Sequence, residues 1–361
     1  MTVPDLVRRR LSAQRLLSPM AGSPEDVVSW LGGVQAQEFG PARWALGLRL
    51  GTGSLDADVG AAFDEGRILR THVLRPTWHF VVPEDIRWLL ALTAARIRGS
   101  MASYDRQLGI DVAVRQQAHR VFERALRRQP NLTRAELSSA LEARGIVATG
   151  SRLAHLLLHA GLDAVVCSGP RRGKHFTYAL LDQRVTSTPA LSRDDAFERI
   201  VVRFFRSHGP ATLRDFTWWC GLRMTDARRV LEALRASSCE ADGLRYWWLD
   251  SEEAAPSARD EPLAHLLPVY DEYTVAYRDR AVVPHGLAAA SAGTERSIVF
   301  HHAFLVDGQI AGTWRPVARR EGLAIEVHPR RRLRRVDRAA LDEAAASVGR
   351  FNNTSVTLIV S

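Results

Sequence analysis

A chain of 361 residues with a net charge of +9 and a pI near 10.2 is too long for one hydrophobic core, since single cores rarely pass about 250 to 300 residues. Its charge favours a phosphate-bearing partner. With 46% hydrophobic and 25% charged residues the chain is globular rather than disordered, and no run approaches the ~18 apolar residues of a membrane-crossing helix.

Met1-Thr2-Val3-Pro4-Asp5 opens the chain without a basic segment and apolar core, so a soluble, cytoplasmic protein is expected. Ser23-Pro24-Glu25-Asp26 predicts a helix start, with serine as cap and proline at the first helical position. That helix is expected to lead directly into Gln35-Ala36-Gln37, which places the two amides at a helix end. A second helix is predicted over 55–66, followed by a β-rich stretch over 70–82 that contains His72 and His79.

The middle of the chain is the most regular. Thr133 and Glu136 form a T-x-x-E capping signal, and apolar spacing continues to Gly145. A helix over 151–161 follows, then strands over 164–167 and 176–180 joined by a loop carrying Arg171, Arg172, Lys174 and His175. Helix, helix and hairpin with a basic tip is the plan of a winged helix. After a Ser/Thr/Pro link at 184–192 the plan recurs: a helix over 196–207, a capping box at Thr212 and Asp215, an arginine-rich helix over 224–237, and strands turning at Asp242-Gly243.

Helix, turn, helix and strand pair thus recur three times. The predicted class is α+β: three tandem winged-helix motifs over 1–105, 106–185 and 186–255, and a small β-rich C-terminal domain over 256–361. Cys167, Cys220 and Cys239 are odd in number and far apart with no C-x-x-C pair, which gives neither a disulfide framework nor a zinc site. No cofactor motif occurs.

Lys174 is the chain's one lysine, so compositional bias explains part of the arginine excess. Arginine nevertheless offers a planar fork that matches phosphate oxygens and guanine edges. Arg43, Arg70 and Arg75 are candidate DNA contacts, with ion pairing to Asp64, Glu65, Glu84 or Asp85 as the plainer reading. Arg171, Arg172 and Lys174 form a candidate backbone clamp, which Arg315, Arg319 and Arg320 would extend, as would the later run 330–335. His72 and His79 read as packing histidines, and Trp218, Trp219, Trp247 and Trp248 as core of the third repeat.

Several blocks together resemble the AlkZ-like, YcaQ-related bacterial winged-helix DNA glycosylases. They are Gly33-Val34-Gln35-Ala36-Gln37, Arg75-Pro76-Thr77-Trp78-His79, Leu266-Leu267-Pro268-Val269-Tyr270-Asp271-Glu272-Tyr273 with Arg278-Asp279-Arg280, and Val306-Asp307-Gly308 running into Gly312-Thr313-Trp314-Arg315. Their order is kept across almost the whole chain. One departure is Pro76, where a small residue would be usual.

The resemblance implies a concave DNA channel with Gln35 and Gln37 as catalytic residues at its centre. It also implies excision of N7-alkylated guanines, including bulky adducts or interstrand cross-links, in some cases as antibiotic self-resistance. The YcaQ-like branch carries an acid at the second position; an amide at 37 puts this chain with the AlkZ-like branch.

Amides suffice for such a reaction because the leaving purine is already cationic, so only a water must be aimed. Glu38, as base or cation stabiliser, is the alternative. A monofunctional enzyme is expected, since no lysine near the glutamines could form a Schiff base. The expected partner is double-stranded DNA containing alkylated purines, bound by a monomer with no membrane association. The competing reading is a non-catalytic winged-helix DNA-binding protein, a regulator or a sequestering resistance protein.

Overall fold

The computed structural model of the protein describes residues 2–186, 189–250, 262–278 and 300–361. Asp279 and Arg280 of the motif above, the 255/256 boundary, and Ser187 and Thr188 of the link lie outside them. Helices alternate with short sheets in an α+β arrangement. Contacts divide the chain into two units, residues 1–60 with 198–361 and residues 61–197.

In the first unit, Thr2 and Asp5 form a capping box that starts α1 (Val3–Ala13), and Ser23 and Asp26 do the same for α2 (Pro24–Leu31). Each box satisfies backbone donors that the first helical turn leaves without partners. The helix expected to run into the glutamines stops at Leu31. Gly32 and Gly33 have φ of 76° and 152°, a conformation that residues with a Cβ avoid. The chain then extends as β1 (Val34–Gln35) before α3 (Phe39–Gly47) and α4 (Asp56–Glu65).

The second unit begins inside α4 at Ala61 and continues into the antiparallel pair β2 (Leu69–His72) and β3 (Trp78–Val81), Leu69 facing Val81 and His72 facing Trp78. Next come α5 (Pro83–Gln107), α6 (Val112–Arg128), β4 (Leu132–Thr133), α7 (Arg134–Glu142), α8 (Gly150–Leu162), β5 (Val166–Ser168), β6 (Thr177–Leu180) and α9 (Leu181–Arg184). The strands pair in the order β4-β6-β5. Phe122, Leu126, Leu137, Leu141, Leu156 and Ala160 form the fully buried centre of this unit's core. They recur at helical spacing, which turns one apolar stripe of each helix inward. His72 and His79 are both buried, with His79 Nδ1 2.9 Å from the Thr77 carbonyl oxygen.

The chain returns to the first unit through α10 (Arg193–Ser207), followed by α11 (Leu213–Cys220), α12 (Met224–Ala233), β7 (Ser237–Ala241) and β8 (Leu244–Trp248). Asp242 and Gly243 turn the hairpin with φ of 49° and 73°, as a type I′ turn requires. Of the four tryptophans read as core, Trp219 and Trp247 are buried, whereas Trp218 is 46% exposed and Trp248 is half-buried beneath Arg9.

Strands β9 (Ala264–Leu267), β10 (His302–Val306), β11 (Gln309–Arg319), β12 (Gly322–Pro329) and β13 (Val356–Val360) build a sheet in the order β13-β12-β11-β10-β9, with the short helix α13 (Glu272–Val275) between β9 and β10. Only the β12–β13 pair in this sheet is parallel. Parallel neighbours need a crossover, which α14 (Arg335–Phe351) supplies. This 17-residue helix was not foreseen in a region read as β-rich. Its buried face mixes Leu341, Val348 and Phe351 with the small or polar Ala344, Ala345, Gly349 and Asp337, so its hydrophobic period is faint in sequence.

Candidate active site

The Gln-x-Gln segment lies between α2 and α3: Gln35 ends the two-residue strand β1, and Gln37 lies in a bend just before α3. Gln35 is 7% exposed, while Gln37 and Glu38 are open to solvent. The Gln35 backbone N–H donates to Glu272 Oε1 at 2.7 Å. Oε2 of the same carboxyl group accepts from Trp219 Nε1 at 3.1 Å and lies 3.5 Å from His208 Nε2. Glu272, Trp219 and His208 are all fully buried. One carboxyl group therefore fixes the strand that carries the first amide, the α11 tryptophan and the α13 start at a single point.

Next to it in sequence, Asp271 caps α13 and takes a bidentate pair from Arg49, both contacts at 2.8 Å. Arg49 also donates to Gln14 Oε1 at 2.9 Å and to the Ala45 carbonyl at 2.8 Å. Burial works against the Arg49 charge, but Asp271 outweighs it and the pKa ends raised. Gln14 donates to the Tyr277 hydroxyl at 3.0 Å, and the Arg10 guanidinium stacks 3.9 Å above that ring, 3.8 Å from Asp215. Buried charges persist where they are paired and hydrogen-bonded. Asp271 and Glu272 belonged to a sequence block recognised above but had no role assigned to them. Their partners are too distant in sequence for spacing to reveal.

The candidate DNA contacts fall in both units. In the first, Arg43 pairs with Asp56 at 2.6 Å, an acid not among the four considered above, and lies over Phe39. Arg315 and Arg319 share Glu326 at 2.6 and 3.0 Å and remain exposed, as does Arg320. In the second unit, Arg70 is sandwiched between Trp78 and Phe176, 4.6 and 5.1 Å from their centroids. Arg75 is half-buried in the β2–β3 turn. Arg171 grips Asp64 through Nε and a terminal nitrogen at 3.0 and 2.7 Å, Arg172 pairs with Glu136, and Lys174 is exposed. Arg70, Arg134, Arg172 and Lys174 line one cavity of about 970 Å³ with Trp78 and Phe176.

Asp105, His155 and His159 could hold a metal ion, their ligand atoms lying within 4.8 Å of one another. Each carboxylate oxygen already accepts from one imidazole at 2.9 Å. The Cys167 thiol, buried in the same unit, is pushed up to about 12 by desolvation, which leaves it a poor nucleophile. Among the described residues, no helix is long and apolar enough to cross a membrane.

Comparison with known proteins accords with this architecture. The structure of Streptomyces sahachiroi DNA glycosylase AlkZ superposes with a TM-score of 0.80 over 100% of both chains at 22% sequence identity, a likeness of fold. No curated protein sequence matches. A family model described as DNA glycosylase AlkZ-like matches residues 28–351, a span that includes Gln35, Gln37 and Glu272. The chain therefore belongs to the AlkZ-like DNA glycosylase family.

Proposed function

We propose that the protein is a monofunctional DNA glycosylase that hydrolyses the N-glycosidic bond of N7-alkylated guanines in duplex DNA, with bulky genotoxin adducts or interstrand cross-links as substrates. Gln35 and Gln37 aim the water. The supporting observation is the anchoring of the Gln35 backbone, at the end of β1, to the buried Glu272 carboxyl group. Gln35 is buried while Gln37 is open to solvent, so on this reading the first amide is held in place from within and the second is accessible to DNA and water.

In the reaction the C1′–N9 bond breaks and its electron pair neutralises the purine cation. Water oxygen bonds to C1′ and releases its extra proton to solvent. Each amide oxygen can accept from the water while the carboxamide dipole faces the oxocarbenium-like sugar. Alignment supplies the rate, and no strong base is required.

On this reading the helix-and-hairpin groups are three winged-helix motifs in a monomeric, cytoplasmic enzyme. DNA is held by Arg43, Arg70, Arg75, Arg171, Arg172, Lys174, Arg315, Arg319 and Arg320. Incubation of the purified protein with duplex DNA bearing N7-methylguanine, and with duplex bearing a bulky N7 adduct, tests the reading. Release of free modified base with an abasic, unbroken strand is expected. Binding without release would favour a non-catalytic DNA-binding protein instead.

A further inference from the structure

Glu38, the residue after Gln37, lines a cavity of about 380 Å³ together with Tyr270, Phe300, His302, Trp314 and Arg315. Its walls are aromatic. Tyr270 and Phe300 meet edge to face at 5.9 Å, and the His302 and Trp314 rings lie 4.8 Å apart. Trp314 is fixed by donating Nε1–H to the Leu267 carbonyl at 2.8 Å. Tyr270 has φ of 62°, a costly conformation for a residue with a Cβ and one that clusters at ligand sites.

Of the cavity's polar groups, which also include Arg315, Thr313, His301 and His328, two give it a reading edge. The Val269 backbone N–H donates to His302 Nδ1 at 3.2 Å, so the proton of the neutral ring sits on Nε2. Burial holds the ring's pKa down to about 4, with His301 adding to the effect, and the ring is neutral at physiological pH. Glu38, the residue after Gln37, brings a carboxyl group that can accept two parallel hydrogen bonds. As the N-cap residue of α3 it makes no side-chain capping bond.

We infer that this cavity is the subsite for the alkylated guanine ring, with His302 Nε2–H donating to O6 and Glu38 accepting from N1–H and the N2 amino group. The inference rests on the glycosylase reading and deepens it. Guanine presents one acceptor followed by two donors along that edge. Adenine presents a donor where guanine has O6 and a lone pair at N1, so its ring meets a donor with a donor and an acceptor with an acceptor. The carboxyl group also complements the positive charge that N7 alkylation places on guanine, and the aromatic walls stack on the ring.

The test uses the full-length protein and two measurements. Dimethyl sulfate-treated duplex DNA supplies 7-methylguanine and 3-methyladenine together, and the released bases are quantified for wild type, Glu38→Gln and Phe300→Ala. Both positions are exposed, so the variants keep the fold. Glu38→Gln is expected to lower 7-methylguanine release relative to 3-methyladenine by about tenfold, the value of one charge-assisted hydrogen bond. Equilibrium dialysis with free 7-methylguanine, which needs no catalysis, should show saturable binding weakened by both substitutions and retained in Gln35→Ala. Equal loss of both bases with unchanged dialysis would make Glu38 a catalytic group and overturn the subsite. Unchanged selectivity and binding would overturn it too. If wild type releases no base, the glycosylase reading fails, and dialysis alone still decides whether the cavity takes the ring.

Discussion

The backbone N–H of Gln35 donates a 2.7 Å hydrogen bond to Oε1 of Glu272, 237 residues further along the chain. A fully buried carboxyl group from the C-terminal half thus holds the strand that presents the first amide. Burying such a group is costly unless its acceptor sites are filled, and here both oxygens accept.

Glu272→Ala leaves the Gln35 N–H and the Trp219 indole N–H without this acceptor. At about 1 to 3 kcal/mol for each stranded buried donor, the change is expected to remove a large part of the roughly 5 to 15 kcal/mol that keeps a domain folded. Glu272→Gln, which retains one acceptor oxygen, should lose less. Urea unfolding of the three proteins checks this, and a wild-type midpoint for Glu272→Ala would show that the contact carries no weight.

His72 gives stability a specific acid limb. Burial depresses its pKa to about 3 from the usual 6.5, with His79 and Arg70 adding to the effect. As pH falls below 6.5 the unfolded chain takes up the proton first, while the folded state resists until about 3. The stability associated with the neutral ring is complete above the unfolded value and declines through that window. His72→Gln should flatten this decline, measured as the urea midpoint against pH. The slope should be unchanged if the ring is protonated in the folded state.

The cations of the β5–β6 loop should divide by their partners. Lys174 is exposed, whereas Arg171 is held by Asp64 through two side-chain contacts. Lys174→Ala is expected to reduce the slope of log K against log salt for duplex binding by about 0.9, the value of one phosphate contact. Arg171→Ala should additionally lower thermal stability by untying the loop from Asp64. Fluorescence anisotropy titrations at several salt concentrations separate these outcomes.

Local chemistry was legible in the sequence. The capping boxes at Ser23, Thr133 and Thr212 start helices where expected, and Asp242-Gly243 turns its hairpin, because each is settled by residues within a few positions. The glutamines were found but placed at a helix end. The α2 pattern runs up to them, and the signal that breaks it is Gly32-Gly33. Helix α14 was missed because its buried face intersperses small and polar residues among Leu341, Val348 and Phe351, which weakens the hydrophobic period. The Glu272 and Asp271 contacts join residues more than 200 positions apart in several cases, so no local pattern could announce them.

The most direct test of the central claim is the single-turnover rate of 7-methylguanine release from duplex DNA by wild type, Gln35→Ala and Gln37→Ala, with duplex affinity measured in parallel. If the amides aim the water, each substitution lowers the rate by about 10²-fold or more and leaves DNA affinity within about twofold, since neither amide contributes to phosphate neutralisation. Release at the wild-type rate by both variants would contradict the account.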